Sequence, residues 1–169
     1  MKKILLSGAI ILLAISLCRA QDDEILNLKE KIIQIQNKGE LGFRYFTFCS
    51  NIIGFGSYVP LTEPVLSKDG ELLVYYEPVN VFTSEKEGLY EIWYTQDMVL
   101  LNEKGETLQE WPKALDFHYT TRAPVMDLFA QNSITLGGQV PAGKYKFKAV
   151  LKDKLSGKTA TKVVDFEVR

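Results

Sequence analysis

Apolar residues and lysines alternate near the C-terminus, and this pattern constrains the fold more than any other feature of the chain. The alternating residues are Tyr145, Phe147, Ala149 and Leu151 on one side and Lys144, Lys146, Lys148 and Lys152 on the other. Because successive side chains of a strand point to opposite faces, the alternation predicts a strand with one buried and one wet face. After turn residues at 155–157, Val164, Phe166 and Val168 repeat the pattern. The chain is therefore predicted to end in a β-hairpin.

Strand signals continue upstream over most of the chain. Apolar stretches at 43–53, 71–76 and 89–101 are separated by segments rich in glycine, proline and charged residues. Residues 102–105 fit a hairpin loop with glycine in the left-handed position, and Pro112 is predicted to end the next strand or to place it at a sheet edge. Residues 113–131 are ambiguous between a strand and a short helical turn. About seven strands without helical crossovers predict a mainly β chain, with a single antiparallel immunoglobulin-like β-sandwich over 41–169.

Residues 21–40 form a lead segment whose apolar residues recur at helical spacing. Ile25, Leu28, Ile32 and Ile35 are three or four positions apart, and Leu26 and Ile33 widen the stripe. Acidic residues precede it, and a lysine and a glycine follow. This pattern predicts a short N-terminal helix over about 23–37. Its apolar stripe could dock on the sandwich, or self-associate through residues 25–35 as a short coiled coil. A flexible stalk and an extended strand are the remaining alternatives.

Residues 1–20 have the organisation of a secretory signal peptide. Two lysines precede an apolar run over 4–17, and Cys18 and Ala20 supply a small-x-small cleavage site. Cleavage is predicted after Ala20, which places the mature protein in the periplasm or outside the cell. The apolar run is short for a membrane span, so no stable span is expected in the mature chain. Lipidation at Cys18 is a less favoured alternative, because the bulky Leu17 stands where a lipoprotein signal requires a small residue.

Removal of this leader changes the charge and the cysteine count. The whole chain has 20 basic and 21 acidic residues, and loss of Lys2, Lys3 and Arg19 leaves 17 against 21, a net charge of −4. This balance disfavours nucleic-acid binding. Cys49 remains as the one cysteine of the mature chain, which excludes an intrachain disulfide. Its apolar neighbours predict a buried structural thiol, and an intermolecular bridge or a reactive nucleophile is the less favoured alternative.

Two sets of residues carry a family resemblance. The first set comprises Pro141-Ala142-Gly143-Lys144-Tyr145, residues 151–161 and Phe166-Glu167-Val168. The second comprises Phe48-Cys49, residues 54–58, Gly70-Glu71, Tyr75-Tyr76-Glu77 and Asn80. Together, over about residues 48–168, they resemble a group of bacterial secreted proteins with an immunoglobulin-like β-sandwich domain. The resemblance implies that fold and a secreted location, and it carries no activity and no catalytic residues.

The sequence offers little material for catalysis. Its one histidine, His118, follows Asp116, but no G-x-S-x-G motif marks a nucleophile and no spacing relates Cys49 to His118. A lone histidine without paired cysteines does not complete a transition-metal shell, and the sequence has no calcium loop and no phosphate-binding glycine motif. We therefore expect no enzymatic activity, no metal and no cofactor.

The first candidate binding surface is the lysine row, which we define as Lys144, Lys146, Lys148 and Lys152. It lies within residues 141–169, where eight basic residues stand against three acidic ones. Such a local charge could attract an acidic polysaccharide or an anionic protein. The alternative is that these lysines form a soluble outer face and protect a sheet edge from unwanted pairing.

The second candidate surface is aromatic and includes Trp93 and Trp111. Trp93 and Tyr94 are neighbours in a predicted strand and must face opposite ways, so one of them can be exposed for sugar stacking or protein contact. The favoured alternative is that these aromatic residues pack in the core of the sandwich. Three functions follow, in order of preference. They are a secreted non-catalytic module that binds an envelope or extracellular protein, a carbohydrate-binding domain that uses Trp93, Trp111 or nearby tyrosines, and a small hydrolase around His118.

Overall fold

The computed structural model describes residues 21–135, 138 and 140–169. The predicted signal peptide, with Cys18 and the cleavage position, lies outside the described residues. A helix, α1, occupies 21–36. In the described part of the chain it is followed by ten strands, namely β1 (Gly42–Gly54), β2 (Ser57–Pro60), β3 (Val65–Leu66), β4 (Glu71–Val79), β5 (Thr83–Lys86), β6 (Leu89–Asn102), β7 (Thr107–Thr121), β8 (Ala130–Thr135), β9 (Gly143–Asp153) and β10 (Thr159–Val168).

The strands form two sheets, and the chain is mainly β as predicted. One sheet has the order β2-β1-β4-β8, and the other has the order β3-β10-β9-β6-β5, with β7 paired to the other side of β6. All pairings are antiparallel except β3 with β10. The predicted number of about seven strands is too low. The difference is β2, β3 and β5, which have two to four residues each and are too short to show a period.

The core lies between the two sheets, as in a β-sandwich. Inward residues of β4 meet inward residues of β9 and β10, and the largest cluster is Phe48, Leu72, Val74, Met98, Leu100, Ile134, Tyr145, Phe147, Ala149, Phe166 and Val168. The apolar half of the C-terminal alternation is thus buried, and β9 pairs with β10 over ten residue pairs. This confirms the predicted hairpin.

A bulge in β1 turns two aromatic residues of this strand toward the core face of the sheet. The pairing with β4 shifts between Arg44 and Thr47, and Tyr45 takes a φ of 52° at this point. The extra residue allows Phe43 and Phe46 to face the core together, where Phe46 stacks on the Tyr76 ring at 5.3 Å. Tyr45 itself is left exposed.

Strand β7 resolves the ambiguous segment 113–131. It does not end at Pro112 but continues to Thr121 along β6. The interruption is a bulge at Asp97, where Lys113 has a φ of 51° and donates its backbone N–H to Asp97 Oδ1 at 2.9 Å. Residues 122–129 then cross to the other sheet without a helix, so the helical turn considered for 125–130 is not formed.

The core also contains polar side chains that no local pattern indicated. Tyr76 donates its hydroxyl to Gln96 Oε1, and Gln96 Nε2 donates to Asn132 Oδ1 at 2.8 Å, with all three residues buried. These residues come from β4, β6 and β8, so the chain of hydrogen bonds links the two sheets. Burial raises the pKa of Tyr76 well above its ordinary value and keeps its hydroxyl protonated as a donor.

Candidate functional site

Helix α1 is fixed to the sandwich by one narrow face. Ile33 is buried, the Tyr90 hydroxyl donates to Glu30 Oε1 at 2.6 Å, and Asn37 exchanges two hydrogen bonds of 2.9 Å with the backbone of Thr83. Residues 30 and 33 lie on one side of the helix, and residue 37, the first after its end, continues that side because it is four positions further on. The hydrogen bond to the Glu30 carboxylate raises the pKa of Tyr90 to about 12, because an ionised phenol could not donate it.

The apolar stripe noticed in the sequence lies on a different side of the same helix. We define the helix stripe as Ile25, Leu28, Ile32 and Ile35, whose exposed fractions are 52%, 52%, 44% and 72%. The expectation that the apolar stripe docks on its own domain is therefore confirmed for Ile33, which widens it, and wrong for these four residues. The helix has a second, narrower docking face, and the wider apolar stripe remains open to solvent.

The lysine row lies on the outer face of the larger sheet. Lys146 and Lys148 stand opposite Leu101 and Val99 of β6, both of which are buried even though they point away from the core. Lysine stems cover apolar neighbours while their ammonium groups reach water. The row therefore has a structural role as a cover for β6 in addition to any binding role.

Acidic partners neutralise much of the lysine row. Lys146 Nζ lies 2.6 Å from Asp165 Oδ1, Lys152 contacts Asp97 Oδ2, and Lys144 stands opposite Glu167 in the strand pairing. Burial alone would raise the pKa of Asp97, but the hydrogen bonds from Lys113 and Lys152 outweigh it and leave this pKa below its ordinary value. The strong local positive charge expected from the sequence is therefore divided into separate ion pairs.

A groove of about 510 Å³ opens at the end of the row formed by Lys144 and Lys146. Its other charged lining residues are Glu63, Glu103, Asp165, Glu167 and Arg169. Arg169 donates to Glu167 and lowers the pKa of that carboxyl. The groove therefore presents both signs of charge, which does not single out an anionic ligand.

Trp93 lies on the same outer face and belongs to a polar cluster that joins β6 to β7. Its ring stacks on His118 with centroids 4.5 Å apart, and its Nε1 donates to Asp116 Oδ1 at 2.9 Å. His118 Nε2 lies 2.8 Å from Glu91 Oε1. Its neighbour Tyr94 is fully buried on the other face, as strand geometry requires.

Trp111 does not join this cluster. It stands opposite Met98, which faces the core, and it packs against the main apolar cluster with only part of its surface accessible. Lys162 likewise faces away from the lysine row, because it pairs with the inward-pointing Ala149. Of the binding residues predicted from the sequence, Trp93 therefore shares a face with Lys144, Lys146 and Lys148, whereas Trp111 does not.

The residues considered for a hydrolase are only partly brought together. His118 and Asp116 are close in space, but the carboxylate bonds to Trp93, and the histidine is paired with Glu91. Cys49 is a buried residue of β1 in the smaller sheet, and burial raises the pKa of its thiol. This confirms the predicted buried thiol.

An ion pair between a buried carboxylate and a half-exposed arginine, on the outer side of the smaller sheet, was missed by sequence reasoning. Glu77 is buried, and its Oε2 accepts from Arg44 Nε at 2.8 Å and from Arg44 Nη2 at 2.6 Å. Its Oε1 accepts from the Tyr75 hydroxyl at 2.8 Å, and Gly56 N–H donates to that same hydroxyl. Burial is the main reason that the pKa of Tyr75 is raised to about 12. A charged residue in a tyrosine-rich strand was the one signal that could have indicated this site.

Within the described residues, no group of three or more histidine, cysteine or acidic side chains is arranged to hold a metal ion. In that same part of the chain, α1 lacks the length and apolar character needed to cross a membrane. No protein-family model and no curated protein matches this chain.

Proposed function

We propose that the protein is an exported, non-catalytic interaction module of the bacterial cell envelope, with an immunoglobulin-like sandwich, that binds another protein through the helix stripe. The observation that carries the proposal is the exposure of Ile25, Leu28, Ile32 and Ile35 on a helix whose opposite side is already fixed. The composition of residues 1–20 supports export.

The accessible apolar area of the helix stripe limits the binding free energy that a partner can obtain from it. Complete burial of a leucine or isoleucine side chain contributes about 1.5–3 kcal/mol. Since roughly half of each of the four side chains is still accessible, covering the stripe contributes about 3–6 kcal/mol before the cost of association. This amount corresponds to a weak contact on its own, so a specific partner must also touch neighbouring parts of the domain.

The spacing of the stripe favours a grooved protein as the partner. Side chains at positions i, i+3, i+7 and i+10 are the anchors with which an amphipathic helix enters an apolar groove. Residues 25–35 cover fewer than two complete heptads, which is short for a stable coiled coil with a second copy. We therefore favour a different protein over self-association at this surface.

The proposal is tested by capture from envelope extracts of the source cell, using the mature chain as bait. The variant L28Q/I32Q removes two central anchors at exposed positions, and N27Q/K31E changes two exposed polar positions of the same helix as a matched control. A defined partner that is retained by the wild type and the control but lost with L28Q/I32Q supports the proposal. Equal capture by all three chains contradicts it.

Mass spectrometry of the exported protein should find Gln21 as its first residue.

Carbohydrate binding is a second candidate, and one observation favours it. Trp93 is partly accessible and shares the outer face of the larger sheet with Lys144, Lys146 and Lys148. An acidic polysaccharide could bind to such a face in two ways. Its sugar rings could stack on the aromatic ring, and its acidic groups would be attracted to the ammonium groups. Binding to a glycan array that is lost in W93A and kept in W111A would support this function. If the wild-type protein binds no glycan on the array, carbohydrate binding is contradicted.

A further inference from the structure

Strand β7 forms an edge of the larger sheet. It pairs with β6 along its length and has no second neighbour among the described strands. The nine residues 113–121, which we call the β7 edge, begin at the bulge and leave a row of backbone donors and acceptors directed away from β6. An edge of this length is a template for pairing with another strand.

Only the first half of β7 carries a proline and a bulge, which are two of the features that block such pairing. Pro112 and the bulge at Lys113 interrupt the strand near its middle. Prolines and bulges are common protections of an edge because they remove a donor and twist the strand. The β7 edge has neither feature after Lys113, and in the part of the chain that the structure describes it pairs regularly with β6 from Leu115 to Thr121.

The β7 edge is complementary to itself when two copies run antiparallel. If the two-fold axis passes at Phe117, residue 116 of one copy stands opposite residue 118 of the other. Asp116 of each copy then faces His118 of the other on the outer side. The second carboxylate oxygen of Asp116 can accept a hydrogen bond there from the imidazole Nδ1, since Trp93 occupies Oδ1 and Glu91 faces Nε2. A two-fold axis at Asp116 would instead set two carboxylates against each other, and one at His118 would set two imidazoles against each other.

The inner side of the edge supports the same register. Phe117 and Tyr119 have their ring centroids 4.6 Å apart, and Tyr119 keeps 56% of its surface exposed. With the axis at Phe117, the two Phe117 rings meet and Tyr119 covers the half-buried Leu115 of the other copy. Aromatic and apolar cross-strand pairs are the contacts that stabilise antiparallel ladders.

We propose that two copies of this chain associate through the β7 edge, residue 113 to residue 121, in an antiparallel pairing centred on Phe117 that joins their larger sheets. The occupant is a second copy because the carboxylate–imidazole pair and the apolar residues of this segment match their own reversed order. This contact is separate from the helix stripe, so a module assembled in this way would present two stripes to its partner. It stands or falls independently of the proposed function.

The test is sedimentation of the mature chain over a range of concentrations, with variants that alter the register. D116K places a lysine opposite His118 and should lower the association constant at least tenfold. The double variant D116H/H118D exchanges the two residues and restores a carboxylate opposite an imidazole in each cross-strand pair, so it should regain dimerisation. E110K, a charge reversal on the same strand outside the β7 edge, and L28Q/I32Q on the helix should both dimerise like the wild type. Circular dichroism verifies that each variant is folded.

Hydrogen exchange locates the contact. Amides within 113–121 should become more protected as the protein concentration rises, while those of α1 should not change. A protein that stays monomeric at all concentrations overturns the proposal. A dimer that is unaffected by D116K, or one whose protection appears in α1, also overturns it. Protection of the β7 edge that appears only when a different protein is added would assign the edge to that partner and likewise reject self-pairing.

Discussion

Replacement of Arg44 by methionine should destabilise the domain by about 2–3 kcal/mol. Glu77 keeps only 3% of its side-chain surface accessible, and Arg44 supplies two of the three hydrogen bonds to its carboxylate. A hydrogen bond to a charged group contributes about 1.5–3 kcal/mol, and removing one partner of a fully buried ion pair costs about 3–5 kcal/mol. The expected loss lies below the upper values because 54% of the Arg44 side chain is exposed and water screens that end of the pair.

The reasoning requires that the loss depends on Glu77. In an E77Q background the side chain is uncharged but still offers Oε1 to the Tyr75 hydroxyl, so R44M should cost only about 1 kcal/mol there. The four chains form a double-mutant cycle, measured by urea unfolding followed through tryptophan fluorescence. R122M, at an exposed arginine, is the matched control and should change stability by less than about 0.5 kcal/mol. A cost for R44M equal to that of R122M, or the same cost with and without E77Q, would refute the reasoning.

Three further predictions concern single side chains. Since the folded state lowers the pKa of Asp97, this residue contributes stability above about pH 4 that is lost as the pH falls through its folded value. D97N should therefore be less stable at neutral pH and show a flatter acid dependence of the urea midpoint; parallel pH profiles would contradict this. Cys49 is buried and its thiol pKa is raised, so a thiol reagent should label it only at the rate of unfolding; rapid labelling of the native protein would be the opposing result. I33A should cost about 2 kcal/mol and speed hydrogen exchange over 21–36, while I32A on the exposed stripe should leave both unchanged, and equal effects would show that the docking face is misassigned.

The amount of structure that could be predicted differs from element to element. The C-terminal hairpin was predictable because apolar and charged residues alternate along β9 with the period of two that strand geometry imposes on side chains. The bulge at Tyr45 was not, because it depends on where β1 meets β4 rather than on either sequence alone. Pro112 was expected to end its strand or to place it at an edge, and the second alternative is the right one. The strand continues beyond Pro112 because Asp97 holds the bulge in place.

Candidate sites show the same division. The four apolar residues of the helix stripe and the position of Trp93 were visible in the sequence, and the side of α1 that docks was not. That side is set by Glu30 and Asn37, which form hydrogen bonds with Tyr90 and Thr83, residues more than forty positions away in the sequence. Polar residues that bond across such distances leave no periodic signal.

The sequence by itself determined the period of each element and therefore which residues share a face. Those assignments depend on local backbone geometry, which repeats every two residues in a strand and every 3.6 in a helix. Only the tertiary structure decided which face is covered, since burial depends on the neighbour that long-range pairing brings. It left the helix stripe open, divided the lysine row into ion pairs, and placed β7 at the edge of its sheet.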